Sequence, residues 1–241
     1  MRMYPHLYIG ELRISLYYSA MILGYVMMIV VMILKRRREM YGLSRFGAVC
    51  FATMGLIFGV VGCKILYIIE NVSYVRENGF TFGGFSFYGA VFILPLVMPV
   101  VGKTLKLRWC SALDCATICI LAMLGTIRLG CYLNGCCGGK VFCISDFYFT
   151  FPIQLIECIW DFGILFTLLR WEKTGNIKGF LYPRFLLLYG GARFFIEFLR
   201  NTPKDWLGFS HAQWFSMTAI LIGMTFEIRL RMRSKKLTKT E

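Results

Sequence analysis

The segment Ile127–Lys140, IRLGCYLNGCCGGK, sets an arginine, an asparagine, three cysteines and four glycines directly after a strongly apolar run. An arginine at the centre of a bilayer costs about 2.5–3.5 kcal/mol on insertion scales, and glycines weaken a plain helix. At membrane depth such backbone is tolerated only where protein or a water-filled cavity lines it. The segment therefore reads as part of a membrane-embedded active site. Three other places have the same character: Gln154 with Glu157, Arg193 with Glu197, and Gln213 near the start of the last apolar run. Gln154 and Glu157 are three residues apart and Arg193 and Glu197 four apart, so each pair shares a helix face. Arg193 and Glu197 either neutralise one another or serve a ligand. Arg128 and Arg193 lie in separate apolar stretches with few carboxylates near them in sequence, which favours a bound anion. Planar guanidinium forks match phosphate bidentately, and a phospholipid headgroup is the phosphate within their reach. Gly130, Gly135, Gly138 and Gly139 either let backbone N–H groups approach that phosphate as a nest or form a turn without a ligand.

The elements that must position these residues are long apolar helices. Of 241 residues, 58% are hydrophobic and 17% charged, with a mean hydropathy of +0.63. That balance is unusual for a soluble core. Windows of about 20 apolar residues, the length that crosses a bilayer, fit at 12–34, 46–70, 83–101, 111–133, 152–171, 178–199 and 211–229. The expected fold is an all-α integral membrane protein of about seven spans. With the amino terminus outside, Lys35–Arg38, Arg45, Lys103, Lys106, Arg108, Arg170, Lys173, Lys178 and the tail from Arg229 all face the cytoplasm. They far outnumber Arg2, Arg13, Arg76, Lys140, Arg200 and Lys204 on the other side, so the positive-inside rule places the carboxyl terminus in the cytoplasm. The formal charge of +14 belongs to loops beside apolar spans, which points to anionic membrane lipids and away from nucleic acid. No cleavable signal peptide is expected, because the first apolar run lacks a basic leader and ends in a basic stop. One membrane-embedded domain, 1–241, with a basic cytoplasmic tail from about 229 accounts for the chain.

The cysteines offer a rival chemistry. Cys131, Cys136, Cys137 and Cys143 cluster toward one membrane face, while Cys50, Cys63, Cys110, Cys115, Cys119 and Cys158 are scattered as small hydrophobes. The cluster suits a disulfide, a thiol-exchange centre or a metal. It contains no Cys-x-x-Cys pair and fits no familiar zinc spacing, so the expectation is a structural role without metal or cofactor.

The run from Arg128 to Gly139, through Gly130, Leu133 and Asn134, resembles the signature of the prolipoprotein diacylglyceryl transferases. Pro152, Gln154 and Glu157 are similar to the family's Pro-x-Gln-x-x-Glu helix start. Tyr189-Gly190 with Arg193, Phe194, Glu197, Phe198 and Arg200 resembles its late segment, and Gly208 to Gln213 resembles the opening of its last helix. The resemblance spans nearly the whole chain, seven-span topology included. It departs at Tyr88, where the family carries a histidine, at Cys131, where asparagine is typical, and at Cys136, where an acidic residue is typical.

The resemblance implies a phospholipid-dependent enzyme of a bacterial cytoplasmic membrane. Its reaction would move a diacylglyceryl group from phosphatidylglycerol to the lipobox cysteine thiol of a prolipoprotein, releasing glycerol phosphate. On that reading Arg128 and Arg193 hold phosphate, while Asn134, Gly138 and Gly139 shape the headgroup pocket. Gln154, Glu157, Glu197 and Gln213 order the arginines and substrate, and Tyr18 and Tyr88 line the place where the acceptor comes in. The thiol must lose a proton, and an unperturbed phenol that titrates near about 10 makes Tyr88 a poor base, which leaves Glu157 or Glu197. His211 is either a helix-start residue or a displaced base. The alternatives are a divergent lipid transferase with another acceptor, a membrane thiol–disulfide oxidoreductase using the outer cysteines, and a lipid-binding protein without turnover.

Overall fold

A computed structural model describes residues 6–10, 12–34, 43–80, 83–144, 147–174, 181–204 and 207–237. Lys35–Arg38, Lys178, Arg2 and Lys239, used above to orient the chain, lie outside the described residues. The described chain is mostly helical, as expected. A hairpin of β1 (His6–Ile9) and β2 (Leu12–Ser15) leads into α1 (Leu16–Ile33), followed by α2 (Arg45–Glu70), the short α3 (Val72–Asn78), α4 (Phe87–Thr104) and α5 (Trp109–Asn134). A second hairpin, β3 (Val141–Ile144) with β4 (Phe147–Thr150), precedes α6 (Ile153–Thr174) and α7 (Leu181–Ile196), which ends in a 3-10 turn at Glu197–Leu199. The last helix is α8 (His211–Leu237).

The two hairpins were not anticipated from hydropathy. The first apolar window begins at residue 12, whereas Leu12–Ser15 pair antiparallel with His6–Ile9 across Gly10, whose φ of 61° suits glycine. The basic tail continues the last helix: α8 runs to Leu237, and its Glu227 pairs with Arg231 and, at 3.8 Å, with Arg184.

Among the described residues, α1, α2, α4 and α5 are long and apolar enough to cross a membrane. Exposed Ile22, Phe46, Ile57, Ile65, Leu96 and Val100 on α1, α2 and α4 give these helices the apolar outer surface that lipid requires. Helix α6 carries Glu157, Asp161, Arg170, Glu172 and Lys173, and α7 has only 16 residues, so length and composition alone do not mark them as spans.

The chain divides into two compact units, Met1–Val31 with Thr117–Glu241, and Met32–Ala116. In the second unit α2 packs on α4. Ser44 caps α2 by accepting from the N–H of Gly47 at 2.9 Å. Gly62 and Gly89 let the two backbones meet, since a Cβ on Gly89 would stand 2.0 Å from the Gly62 carbonyl oxygen. In the first unit α7 packs on α8 and on α6 around Ile153, Leu168, Phe185 and Leu186, all fully buried.

Candidate active site

Helices α5, α6 and α7, the 3-10 turn and Arg200 directly after it contribute the charged residues of one cluster in the first unit. Glu157, one turn into α6, lies at its centre with 4% of its side chain exposed. Its Oε2 is 3.0 Å from Arg128 Nε of α5, and its Oε1 accepts from Arg200 Nη1 at 3.1 Å and from Arg193 Nη1. Glu197 is the second acceptor. Its Oε2 lies 2.8 Å from Arg193 Nη2 and 3.6 Å from Arg200 Nε, while its Oε1 accepts from Thr202 Oγ1 at 2.7 Å and Ser210 Oγ at 3.2 Å. Arg193 and Glu197 thus pair, as one reading of their spacing held, but within a larger network.

Three guanidiniums pair with two carboxylates in that network, and a third carboxylate, Asp161, lies within electrostatic reach of Arg128 and Arg193. Burial makes each partner indispensable, because an uncompensated buried charge costs several kcal/mol. The same cluster borders a small cleft lined by Arg128, Glu157, Trp160, Asp161, Tyr189, Ala192, Arg193 and Ile196. Asp161, one turn beyond Glu157 on the same face of α6, is 2% exposed, and its Oδ2 has no hydrogen-bond partner. Sequence reasoning missed Asp161, although an acidic residue four positions from Glu157 inside an apolar run is the signal that singled out the other sites. It also missed Thr202 and Ser210.

Gln213 is fully buried and works through the start of α8. Its Oε1 accepts from the Ser210 N–H at 3.0 Å while Ser210 Oγ accepts from the Gln213 N–H at 3.3 Å, a reciprocal capping box. Ser210 Oγ also reaches Glu197, so the cap supports the carboxylate that holds Arg193 and Arg200. His211, exposed, is the first residue of α8.

The glycine turn is organised by backbone contacts. Gln154 Nε2 donates to the Cys136 carbonyl at 2.7 Å, and Asn134 is the last residue of α5. Gly139 bridges to Arg200 and donates to the Phe151 carbonyl at 3.1 Å, while Lys140 N–H donates to the Leu199 carbonyl at 2.8 Å. A Cβ on Gly139 would stand 2.8 Å from the Phe151 oxygen and 3.0 Å from the Leu199 oxygen, so only glycine permits the strand that sets Arg200 in place. Gly138 lies beside Thr150 and Gln154.

Cys131, Cys136 and Cys137 carry free thiols, and their sulfurs lie within 4.8 Å of one another. The hydrogen bond from Cys131, reinforced by the charges of Arg128 and Arg200, pulls the Cys137 thiol down to about 5 despite its partial burial. On α1, Tyr18 is 66% exposed, and it is Tyr17 that lies within electrostatic reach of Arg128 and these thiols. Tyr88 belongs to the second unit, where it is buried on α4 and stacks on Phe92 at 5.7 Å.

Residues 6–229 match the family model for prolipoprotein diacylglyceryl transferase. The chain belongs to the prolipoprotein diacylglyceryl transferase family. It is 29% identical over 225 residues to the phosphatidylglycerol–prolipoprotein diacylglyceryl transferase of Clostridium tetani, an overlap of 86% of this chain and 90% of that protein. It is 32% identical over 188 residues to phosphatidylglycerol–prolipoprotein diacylglyceryl transferase 2 of Clostridium perfringens, covering 70% and 72%. The corresponding transferase of Streptococcus pyogenes is 24% identical over 242 residues, covering 92% and 93%. Within this transferase family, the charged cluster comprises Arg128, Glu157, Arg193, Glu197 and Arg200, and each stands in one of the motif segments noted in the sequence. Asp161 stands outside those motifs, and Cys131 and Cys136 stand at positions where the chain departs from the first of them.

Proposed function

We propose that the protein is a diacylglyceryl transferase that moves the diacylglyceryl group of phosphatidylglycerol to the lipobox cysteine thiol of prolipoproteins. The observation that carries the reading is the buried convergence of Arg128, Arg193 and Arg200 on Glu157 and Glu197 beside a cleft. A phosphodiester monoanion is the ligand that such guanidinium forks match. It enters a site whose donors are already oriented, so little reorganisation accompanies the build-up of charge on the departing phosphate. Arg128 and Arg193 hold the phosphate and Arg200 completes the layer. Asn134, Gly138, Gly139 and Gln154 shape the headgroup pocket.

The proton has a different destination from the two glutamates weighed in the sequence. Glu157 and Glu197 are each held by arginines, whereas Asp161 presents an unpartnered oxygen at the cleft. Asp161 takes the proton of the acceptor thiol. Sulfur then attacks the glycerol carbon, the carbon–oxygen bond to phosphate breaks, and the electron pair leaves on glycerol phosphate. An in-line attack requires the thiol on the acyl side of that carbon, beyond the phosphate. Asp161 fits this arrangement, because it is about 6 Å further along α6 than Glu157 at 1.5 Å rise per residue.

The protein works as a single domain of seven spans, amino terminus outside, in a bacterial cytoplasmic membrane, with its cleft open to the outer leaflet. Purified protein with phosphatidylglycerol and a lipobox peptide is expected to yield the thioether product, and Arg128→Ala none. Absence of product from the wild type, while a verified family enzyme works in the same assay, would overturn the assignment.

A further inference from the structure

We propose that Cys131, Cys136 and Cys137 hold a zinc ion with an open fourth position. The three sulfurs come from the last turn of α5 and the turn that follows, and they converge within 4.8 Å. Three sulfurs sharing one Zn²⁺ at about 2.3 Å lie about 3.8 Å apart in tetrahedral geometry, so small side-chain rotations close the set. The convergence comes from the backbone. Gly135 at φ 74° and Cys137 at φ 60° both take the left-handed conformation, which reverses the chain and returns the Cys137 sulfur toward Cys131. A cysteine at that φ bears a cost that glycine does not. Hydrogen bonds from Gln154 to the Cys136 carbonyl, and from the Cys136 N–H to the Cys131 carbonyl at 3.2 Å, fix the turn.

Soft thiolate donors without carboxylate neighbours in the set select zinc over magnesium or calcium. Three protein ligands leave the fourth tetrahedral position open, the arrangement of catalytic zinc sites. Burial of Cys131 closes one side of the cluster and exposure of Cys137 opens the other. Cys131 and Cys136 are two of the positions at which this chain departs from its family's pattern, and both fall in the proposed site.

The test uses the full-length protein in lipid nanodiscs, with Co²⁺ as the spectroscopic probe and Zn²⁺ as competitor. A stoichiometric sulfur-to-cobalt charge-transfer band, abolished by Zn²⁺, is expected in the wild type and in Cys143→Ser. It is lost in Cys136→Ser and in Cys137→Ser, the latter altering an exposed side chain that the fold does not depend on. Absence of the band in wild-type protein, or its survival in both variants, overturns the metal site. Because these readouts need no turnover, failure of the metal site is distinguishable from failure of the transferase assignment, which the product assay reads.

Discussion

Replacing Glu157 with glutamine tests the charge network at its centre. The substitution keeps the shape of the side chain and removes the one carboxylate that all three arginines share. Arg193 and Arg200 retain Glu197, but Arg128 has no other ion pair among the described residues. A buried charge left without its partner costs about 3–5 kcal/mol. For a chain of this size each kcal/mol corresponds to about 2–4 °C, so the midpoint of thermal unfolding in detergent should fall by roughly 6–20 °C. The variant carries one negative charge fewer in the cleft, so an anionic lipid should restore more stability to it than to the wild type. Phosphatidylglycerol at about 100 times its dissociation constant adds about 2.7 kcal/mol to whichever state binds it. The assay is a melting curve followed by intrinsic fluorescence, with phosphatidylglycerol or phosphatidylcholine in the micelle. A Glu157→Gln midpoint within about 2 °C of wild type, less than 1 kcal/mol by that conversion, would refute the claim that Glu157 organises the arginines.

Other substitutions separate the roles. Asp161→Asn should lower the transfer rate by about 10²–10⁴, the usual contribution of a general base, while phosphatidylglycerol still raises the melting midpoint as in wild type; a rate within threefold of wild type, roughly 0.65 kcal/mol, would remove Asp161 from the reaction. Tyr88→Phe should keep the rate within about tenfold, because a phenol that titrates near about 10 is not the base, and a loss as large as that of Asp161→Asn would reverse the assignment. Gly139→Ala forces a Cβ against the Phe151 and Leu199 carbonyls. It should destabilise the protein by about 1–3 kcal/mol in the same melting assay and weaken transfer through Arg200; an unchanged midpoint would contradict the close approach.

Much of the helical framework was legible in the sequence, because hydrocarbon imposes length and composition on the helices that cross it. The seven apolar windows each overlap a helix of at least 16 residues. The hairpins were not legible. Leu12–Ser15 are apolar enough to join the first window, and only pairing with His6–Ile9 takes them out of the helix. The site was legible residue by residue but not as a network. Arg128, Glu157, Arg193 and Glu197 announce themselves as charges in apolar runs. That Arg200 joins them depends on the strand contact between Gly139 and Arg200, which no local pattern encodes. Gln213 shows the opposite case: it lies three residues after Ser210, a spacing that encodes the capping box, and its path to the arginines runs through that box. Asp161 carried the right local signal and was overlooked beside the stronger resemblance of its neighbours.

The most direct test of the central claim, that the buried arginines serve lipid transfer to prolipoproteins, is complementation of a bacterial strain conditionally depleted of its own prolipoprotein diacylglyceryl transferase. Wild-type protein is expected to restore growth and lipoprotein modification, and Arg128→Ala and Arg193→Ala, present in the membrane at equal amounts by blot, are expected to restore neither. Failure of the wild type at good membrane expression, or rescue by both arginine variants, would contradict it.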